Sequence, residues 1–306
     1  MRRPATEWTE PIRALVPRTV VQQWGERSEQ RAVNWIGRSV SLASSRATRS
    51  RDERTLVANL GDSPKLPQVA LFMEGRGDPY GLKKLVGGKT LHLTPFIATV
   101  RRGPEVLQVL SDDPLASDAR NKPGDLKYFA AHLLLPAAAE VWFDDERAPA
   151  GPPERPTLAR AGPAVFVRLG EAVIGLRVLL ATTTGGDATP GFVEDTTGAT
   201  ARRLTVMYSA AEPKGRATLA VWLRAAEGLD DAAFSMWRRN FSATRAEADL
   251  SGNTLVAEVA GAQGPMRIEA DVATGVRRML TGGEPAALLS LTRTPKLECN
   301  FRRKHG

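Results

Sequence analysis

The chain has 306 residues, 42% hydrophobic and 25% charged, a balance that suits a packed globular protein and excludes wholesale disorder. The 42 Lys and Arg against 34 Asp and Glu leave a net charge of +8, which favours an anionic partner, but the basic residues are scattered rather than gathered on one stripe, so no nucleic-acid partner is expected. One cysteine, Cys299, and three histidines, His92, His132 and His305, exclude a disulfide framework and show no metal-ligand spacing, so neither a metal nor a cofactor is expected.

Residues 1–36 carry two early arginines but no apolar run of the kind a signal peptide or a membrane span requires, and no membrane partner is expected. Residues 6–36 read as a helical or irregular lead-in, with Trp24 and Trp35 as anchors and Glu26, Arg27, Glu29 and Arg31 as a mixed-charge surface. The abrupt start makes this lead-in an expected remnant of an upstream helical domain in a longer protein, which would be periplasmic or secreted if that domain carries the export signal.

From Gly37 the pattern changes to short apolar runs bounded by Gly, Pro, Asp or Ser: SVSLASS, RTLVANL from Arg54 and PQVALFME from Pro67, each expected to be a strand. Gly75–Thr90 holds five glycines and one proline without an apolar period and reads as a long surface loop. LHLTPFIATVRR and EVLQVLSD follow, joined by Gly103-Pro104 as a hairpin. Residues 111–125 form a second polar loop. Then come two long apolar stretches, 127–145 and 163–182, each read as one long strand and together as the centre of the fold. The proline-rich segment between them, 148–163, is the expected internal boundary.

In the second half, RATLAVWLRAAEG alternates as a strand, and one helix is expected near 230–247. Asp230 is placed to cap it, Leu229 to staple against Phe234, and Phe234, Trp237 and Phe241 share one face. NTLVAEVAG, PMRIEADVA, VRRMLTGG and ALLSLTR close the chain as strands separated by Gly turns. A dozen to fifteen strands in meander-like order, with no phosphate loop and no strand–helix alternation, predict an all-β fold: a large antiparallel multi-strand sandwich over 37–298 with a tail at 299–306.

The segment from Arg76 to His92 concentrates Arg76, Asp78, Tyr80, Lys83, Lys84 and His92. Removing a proton beside a uronate carboxylate needs a base such as Tyr or His, which also protonates the leaving oxygen, and cations to neutralise the carboxylate. On that chemistry Tyr80 and His92 are the candidate catalytic residues, and Arg76, Lys83 and Lys84 the candidate substrate-binding residues. The same composition suits a plain loop in which Asp78-Pro79 shape a turn and the lysines are solvated. Trp142 joins the substrate-binding set because an indole face suits the apolar side of a sugar ring, although large aromatics on strands also serve as core. His132, in FAAHLLLP, reads as a core histidine, and Asp144, Asp145 and Glu146 as a solvated turn.

The lead-in VVQQWGERSEQRAVNWIGRSVSLASS, the run of strands after it, YFAAHLLLP and the basic balance together resemble the β-sandwich portion of heparinase II/III-like polysaccharide lyases. The resemblance implies a supersandwich-like fold, an acidic polysaccharide as partner, and an upstream helical domain holding most of the catalytic groups. It carries no family residue over position by position. The other reading is a standalone noncatalytic β-sandwich that binds or supports without chemistry.

Overall fold

The computed structural model describes residues 17–24, 30–46, 56–60, 69–71, 73–74, 96–112, 129–136, 138–150, 157–161, 164–183, 186–187, 190–196, 201–208, 216–274, 276–281 and 288–289. The chain opens with β1 (Arg18–Trp24), β2 (Gln30–Ile36), β3 (Val40–Arg46), β4 (Leu56–Leu60), β5 (Val69–Leu71) and β6 (Met73–Glu74). Next come β7 (Phe96–Arg102), β8 (Glu105–Asp112), β9 (Phe129–Pro136), β10 (Glu140–Phe143), β11 (Glu146–Arg147) and β12 (Thr157–Ala161). They are followed by β13 (Ala164–Leu169), β14 (Ala172–Thr183), β15 (Gly186–Asp187), β16 (Pro190–Thr196), β17 (Ala201–Tyr208) and β18 (Ala217–Glu227). A helix, α1 (Asp231–Ala243), precedes β19 (Ala246–Ser251), β20 (Thr254–Gly261), β21 (Gly264–Asp271), β22 (Val276–Thr281) and β23 (Leu288–Leu289).

These strands form an all-β antiparallel sandwich of several sheets. The central sheet runs β11-β10-β13-β14-β18-β8-β7, with β15 paired to β14. A six-stranded sheet runs β23-β1-β2-β3-β4-β5, a five-stranded one β12-β16-β17-β9-β6, and a four-stranded one β19-β20-β21-β22. Among the described residues every pairing is antiparallel except the short parallel contact of β23 with β1.

The central sheet is covered on both faces, which explains why β18 is buried continuously from Ala217 to Leu223 instead of alternating. On one face Leu219, Val221 and Leu223 pack with Leu176, Val165 and Val141 against Trp35, Val40 and Leu42 of the six-stranded sheet. On the other, Ala220 and Trp222 pack with Phe166 against Phe234, Trp237 and Phe241 of α1 and against Leu255, Ala257, Met266 and Ile268 of the four-stranded sheet. Phe166, Phe234 and Phe241 are fully buried, each contributing about 1.5–3 kcal/mol of apolar transfer free energy. The β14–β18 register shifts between Val178 and Leu180. Leu179 and Leu180 consequently both face the helix-side cluster, whereas Val178 and Ala181 face the other.

Polar ties fix the covering layers. Glu227, at the end of β18, accepts from Ser39 N at 2.8 Å and Ser39 Oγ at 3.2 Å, holding the closed end of the β2–β3 hairpin, and buried Arg101 donates to Leu42 O at 2.6 Å. On the other side Glu105, wholly buried, lies 3.5 Å from Arg224 Nε and accepts from Ala262 N at 3.2 Å in the β20–β21 turn. The β7–β8 and β20–β21 turns stack so closely that a Cβ on Gly103 would collide with the Gln263 side chain and one on Gly264 with the Arg102 guanidinium. Both glycines also have positive φ, 53° and 117°.

Several expectations change here. The lead-in is not helical where it is described: β1 and β2 form a hairpin in register from Arg18↔Ile36 to Trp24↔Gln30. The β-branched run Thr19-Val20-Val21 and the burial of Trp35 favour extended chain over the helix suggested by the charge mixture. β2 continues through a tight turn into β3, so the six-stranded sheet runs across position 37. The stretch 127–145 is two strands, not one. β9 lies in the five-stranded sheet and β10 in the central one, and the first ends at Pro136, whose ring nitrogen has no proton to donate to a ladder. The stretch 163–182 is a hairpin of β13 and β14 turning at Gly170, whose φ is 58°. The proline-rich boundary contains β12, which pairs with β16. The helix is shorter than expected: Thr244 turns to extended backbone and β19 begins at Ala246.

Candidate functional site

Of the candidate residues, Trp142 lies within the described structure, and the site is built from it. β10 and β11 form a tight hairpin with Trp142↔Arg147 and Phe143↔Glu146 in register and Asp144-Asp145 at the turn. Asp144 takes φ 51°, a left-handed conformation that Asp tolerates better than bulky residues. Strand alternation sends Val141 and Phe143 to one face of the central sheet and Trp142 to the other, beneath α1.

The helix supplies the roof. Asp230 caps it, its Oδ1 accepting from Ala233 N at 2.8 Å, and Phe234, Trp237, Arg238 and Phe241 form the buried face. The rings make one connected cluster. Trp142 meets Phe234 edge-on with centroids 5.9 Å apart, and Trp222 stacks on Phe241 at 4.1 Å and 10°. A Cβ on Gly175 of β14 would lie 2.9 Å from Trp237 Cη2, so the glycine is what lets the helix sit this close.

Arg238 is inserted into this aromatic layer. Its Nη1 donates to Asp144 O at 2.5 Å and lies 3.5 Å from Asp145 Oδ1, while Cζ is 4.1 Å from the Trp142 ring centre and 5.1 Å from that of Phe234. Burial pushes the guanidinium below its ordinary pKa, the Asp145 carboxylate pulls it back up, and neighbouring Arg239 adds to the lowering. Two further arginines flank the cluster. Arg147, 53% exposed, lies over Trp142 at 5.9 Å and donates to Glu140 Oε1 at 2.8 Å. Arg168 lies 5.3 Å from the Phe234 ring and donates to Asp231 Oδ1 and to Leu229 O.

Each of these three guanidinium groups has a carboxylate partner and an aromatic neighbour, so the cluster is electrically balanced and ties the helix to the hairpin turn. Among the described residues no group of three His, Cys, Asp or Glu side chains is arranged to hold a metal. The outer face of the four-stranded sheet differs in charge: Glu247, Asp249, Glu258, Glu269 and Asp271 stand there with Arg267. Arg267 pairs with Glu258 and Glu269, and a shallow depression is lined by Glu247, Ala248, Asp249, Val256 and Glu258.

The other candidate residues, Arg76, Tyr80, Lys83, Lys84 and His92, lie outside the described residues. Their segment connects β6, in the five-stranded sheet, to β7, at an end of the central sheet. His132 stands on β9 opposite Thr205, with β17 on one side and β6 on the other. Asp144, Asp145 and Glu146 are exposed at the hairpin turn, as the solvated-turn reading expects. Sequence reasoning overlooked Arg238, although Phe234, Trp237 and Phe241 at helical spacing leave the fourth position of the same stripe to it.

No family model matches the chain, and no curated protein matches it. Among solved structures, the chain is similar to a heparan sulfate lyase HepC mutant from Pedobacter heparinus, at 10% identity and a TM-score of 0.31. The likeness covers 84% of this chain and 42% of that one, so the chain spans less than half the length of the structure it matches.

Proposed function

We propose that this chain is a carbohydrate-associated β-sandwich of a heparinase II/III-like polysaccharide lyase protein, and that it binds an acidic polysaccharide. The observation that carries the reading is the distribution of charge. The described strands β19–β21 carry Glu247, Asp249, Glu258, Glu269 and Asp271 against Arg267 on their outer face, yet the whole chain carries +8, so the residues outside that face hold the positive surplus. Those residues include Arg76, Lys83, Lys84 and His92, which lie in sequence between β6 of one sheet and β7 of another.

In this reading Arg76, Lys83 and Lys84 neutralise glycan carboxylates. Tyr80 and His92 are the groups through which proton abstraction and leaving-group protonation would pass, and Trp142, partly exposed beside Arg147, is a further sugar contact. The main catalytic machinery belongs to an upstream helical domain of the same protein. The test is titration of the purified chain with polygalacturonate at low and high salt. Affinity should fall steeply as salt rises, and simultaneous replacement of Arg76, Lys83 and Lys84 by Ala should weaken binding about tenfold or more. Absence of binding to uronate polymers at low salt overturns the reading.

A further inference from the structure

β19 is an outer strand of the four-stranded sheet, and its backbone is satisfied on one side. A two-residue turn, Gly252-Asn253, joins it to β20 with Ser251 opposite Thr254, and Ala260 N donates to Arg245 O at 2.9 Å where the pair begins. In an antiparallel ladder, residues that exchange hydrogen bonds alternate with residues whose N–H and C=O point the other way. Glu247, Asp249 and Ser251 therefore turn their backbone groups to β20, and Ala246, Ala248 and Leu250 turn theirs to the open edge. Among the described residues no strand pairs with that edge, and no hydrogen bond reaches the outward groups of these three. All three are partly exposed.

An unpaired strand edge is a template for another strand, and the side chains decide which strand is accepted. Ala246, Ala248 and Leu250 lean on the helix-side core, whereas Glu247 and Asp249 are exposed on the outer face beside a shallow depression lined also by Val256. Glu247 meets Arg245 at 2.7 Å in a solvent-exposed pair that an incoming cation can displace, and among the described residues no cation pairs with Asp249. A second copy of β19 does not fit: antiparallel pairing about Ala248 sets Glu247 of one copy opposite Asp249 of the other, and like charges so placed repel. We propose that β19 accepts an extended peptide as an added strand, with Lys or Arg at alternate positions and small or apolar residues between them. In antiparallel addition the cations stand opposite Glu247 and Asp249 in the non-hydrogen-bonded pairs, where side chains approach most closely. Main-chain bonds then form at Ala246, Ala248 and Leu250. This surface is independent of the polysaccharide reading, which needs cations on the protein rather than carboxylates.

The experiment titrates the full chain, at low salt, with three capped and fluorescently labelled peptides: TKVKVKT, TEVEVET, and TKVKVKT methylated on its valine nitrogens. The lysine peptide should bind and the glutamate peptide should not. The methylated peptide keeps the charge but loses the donors that face β19, and should bind at least about tenfold more weakly. Amide exchange should slow at Ala246, Ala248 and Leu250 in the complex and change little at Glu247 and Asp249, whose amides already face β20. The E247K/D249K variant should lose about tenfold in affinity for the lysine peptide and gain affinity for the glutamate peptide. If that variant melts below wild type, E247Q/D249N takes its place, with the same loss for the lysine peptide expected. No binding of the lysine peptide, equal binding of its methylated form, or binding without protection of the three outward amides overturns the proposal.

Discussion

The guanidinium of Arg238 lies 4.1 Å from the centre of the Trp142 ring while its Nη1 donates to Asp144 O, so one side chain from the helix holds both the floor and the turn of the β10–β11 hairpin. A buried cation is tolerable here because its charge faces an indole, a backbone carbonyl and a nearby carboxylate together. Arg238→Ala removes the contacts and leaves a void, and should cost about 2–4 kcal/mol in denaturant unfolding. Arg238→Met fills much of the volume without the desolvation penalty and should cost less than the Ala variant; an equal or larger loss would show that the charge itself is needed.

The same guanidinium sets an expectation for pH. Its pKa is lowered chiefly by burial, so the folded state binds the proton less tightly than the unfolded one. That penalty is fully present below the folded pKa and disappears only as pH rises through it, far on the alkaline side for an arginine. The stability gap between wild type and Arg238→Met should therefore stay constant from about pH 6 to about pH 9, as measured by unfolding at each pH.

Gly175→Ala places a methyl group 2.9 Å from Trp237 Cη2 and 3.1 Å from Phe166 Cδ1. Both rings are locked in the helix-side cluster, so the helix must lift, at about 1–3 kcal/mol. The accompanying change in Trp237 environment should appear as a shift of intrinsic tryptophan emission.

Glu105→Ala frees Arg224 and Ala262 N together and opens the junction between two stacked turns. A loss of about 1–3 kcal/mol is expected, smaller than for a fully enclosed pair because Arg224 reaches solvent. Glu105→Gln keeps one acceptor for Ala262 N and should recover part of it.

Arg177 of β14 donates through Nη1 to Thr244 O at 2.9 Å and Ser242 O at 3.3 Å, satisfying carbonyls where the helix ends. Arg177→Ala should cost about 1 kcal/mol and speed amide exchange in the last turn of α1 while leaving its first turn unchanged.

Much of this architecture is legible in the residues themselves. The helix was marked by Asp230 and by Phe234, Trp237 and Phe241, and the β7–β8 hairpin by Gly103-Pro104, because caps, periodicity and turn chemistry are local. The departures from the sequence pattern lie where local signals are silent. A strand buried on both faces loses its alternation, so the apolar run at 163–182 conceals a hairpin, whereas the run at 127–145 conceals a change of sheet because strands of different sheets follow one another there without a break in apolar character. The first hairpin was obscured by charged residues between Trp24 and Trp35. The surroundings of Trp142 were illegible for a different reason: Arg238 arrives from an element far along the chain, and only packing brings the two together. The Arg76–His92 candidates rest on residue type, which does not determine where side chains converge.

The bulge at Leu179 has a consequence for folding. A regular ladder between two long apolar strands would be nearly as well satisfied after sliding by two residues, because every side chain would keep its face. With two successive leucines directed to the helix side, sliding β14 against β18 moves the irregularity away from the place shaped to receive it. The bulge thus acts as an index mark on the longest strand pair of the central sheet, selecting one alignment from several that hydrophobicity alone would accept.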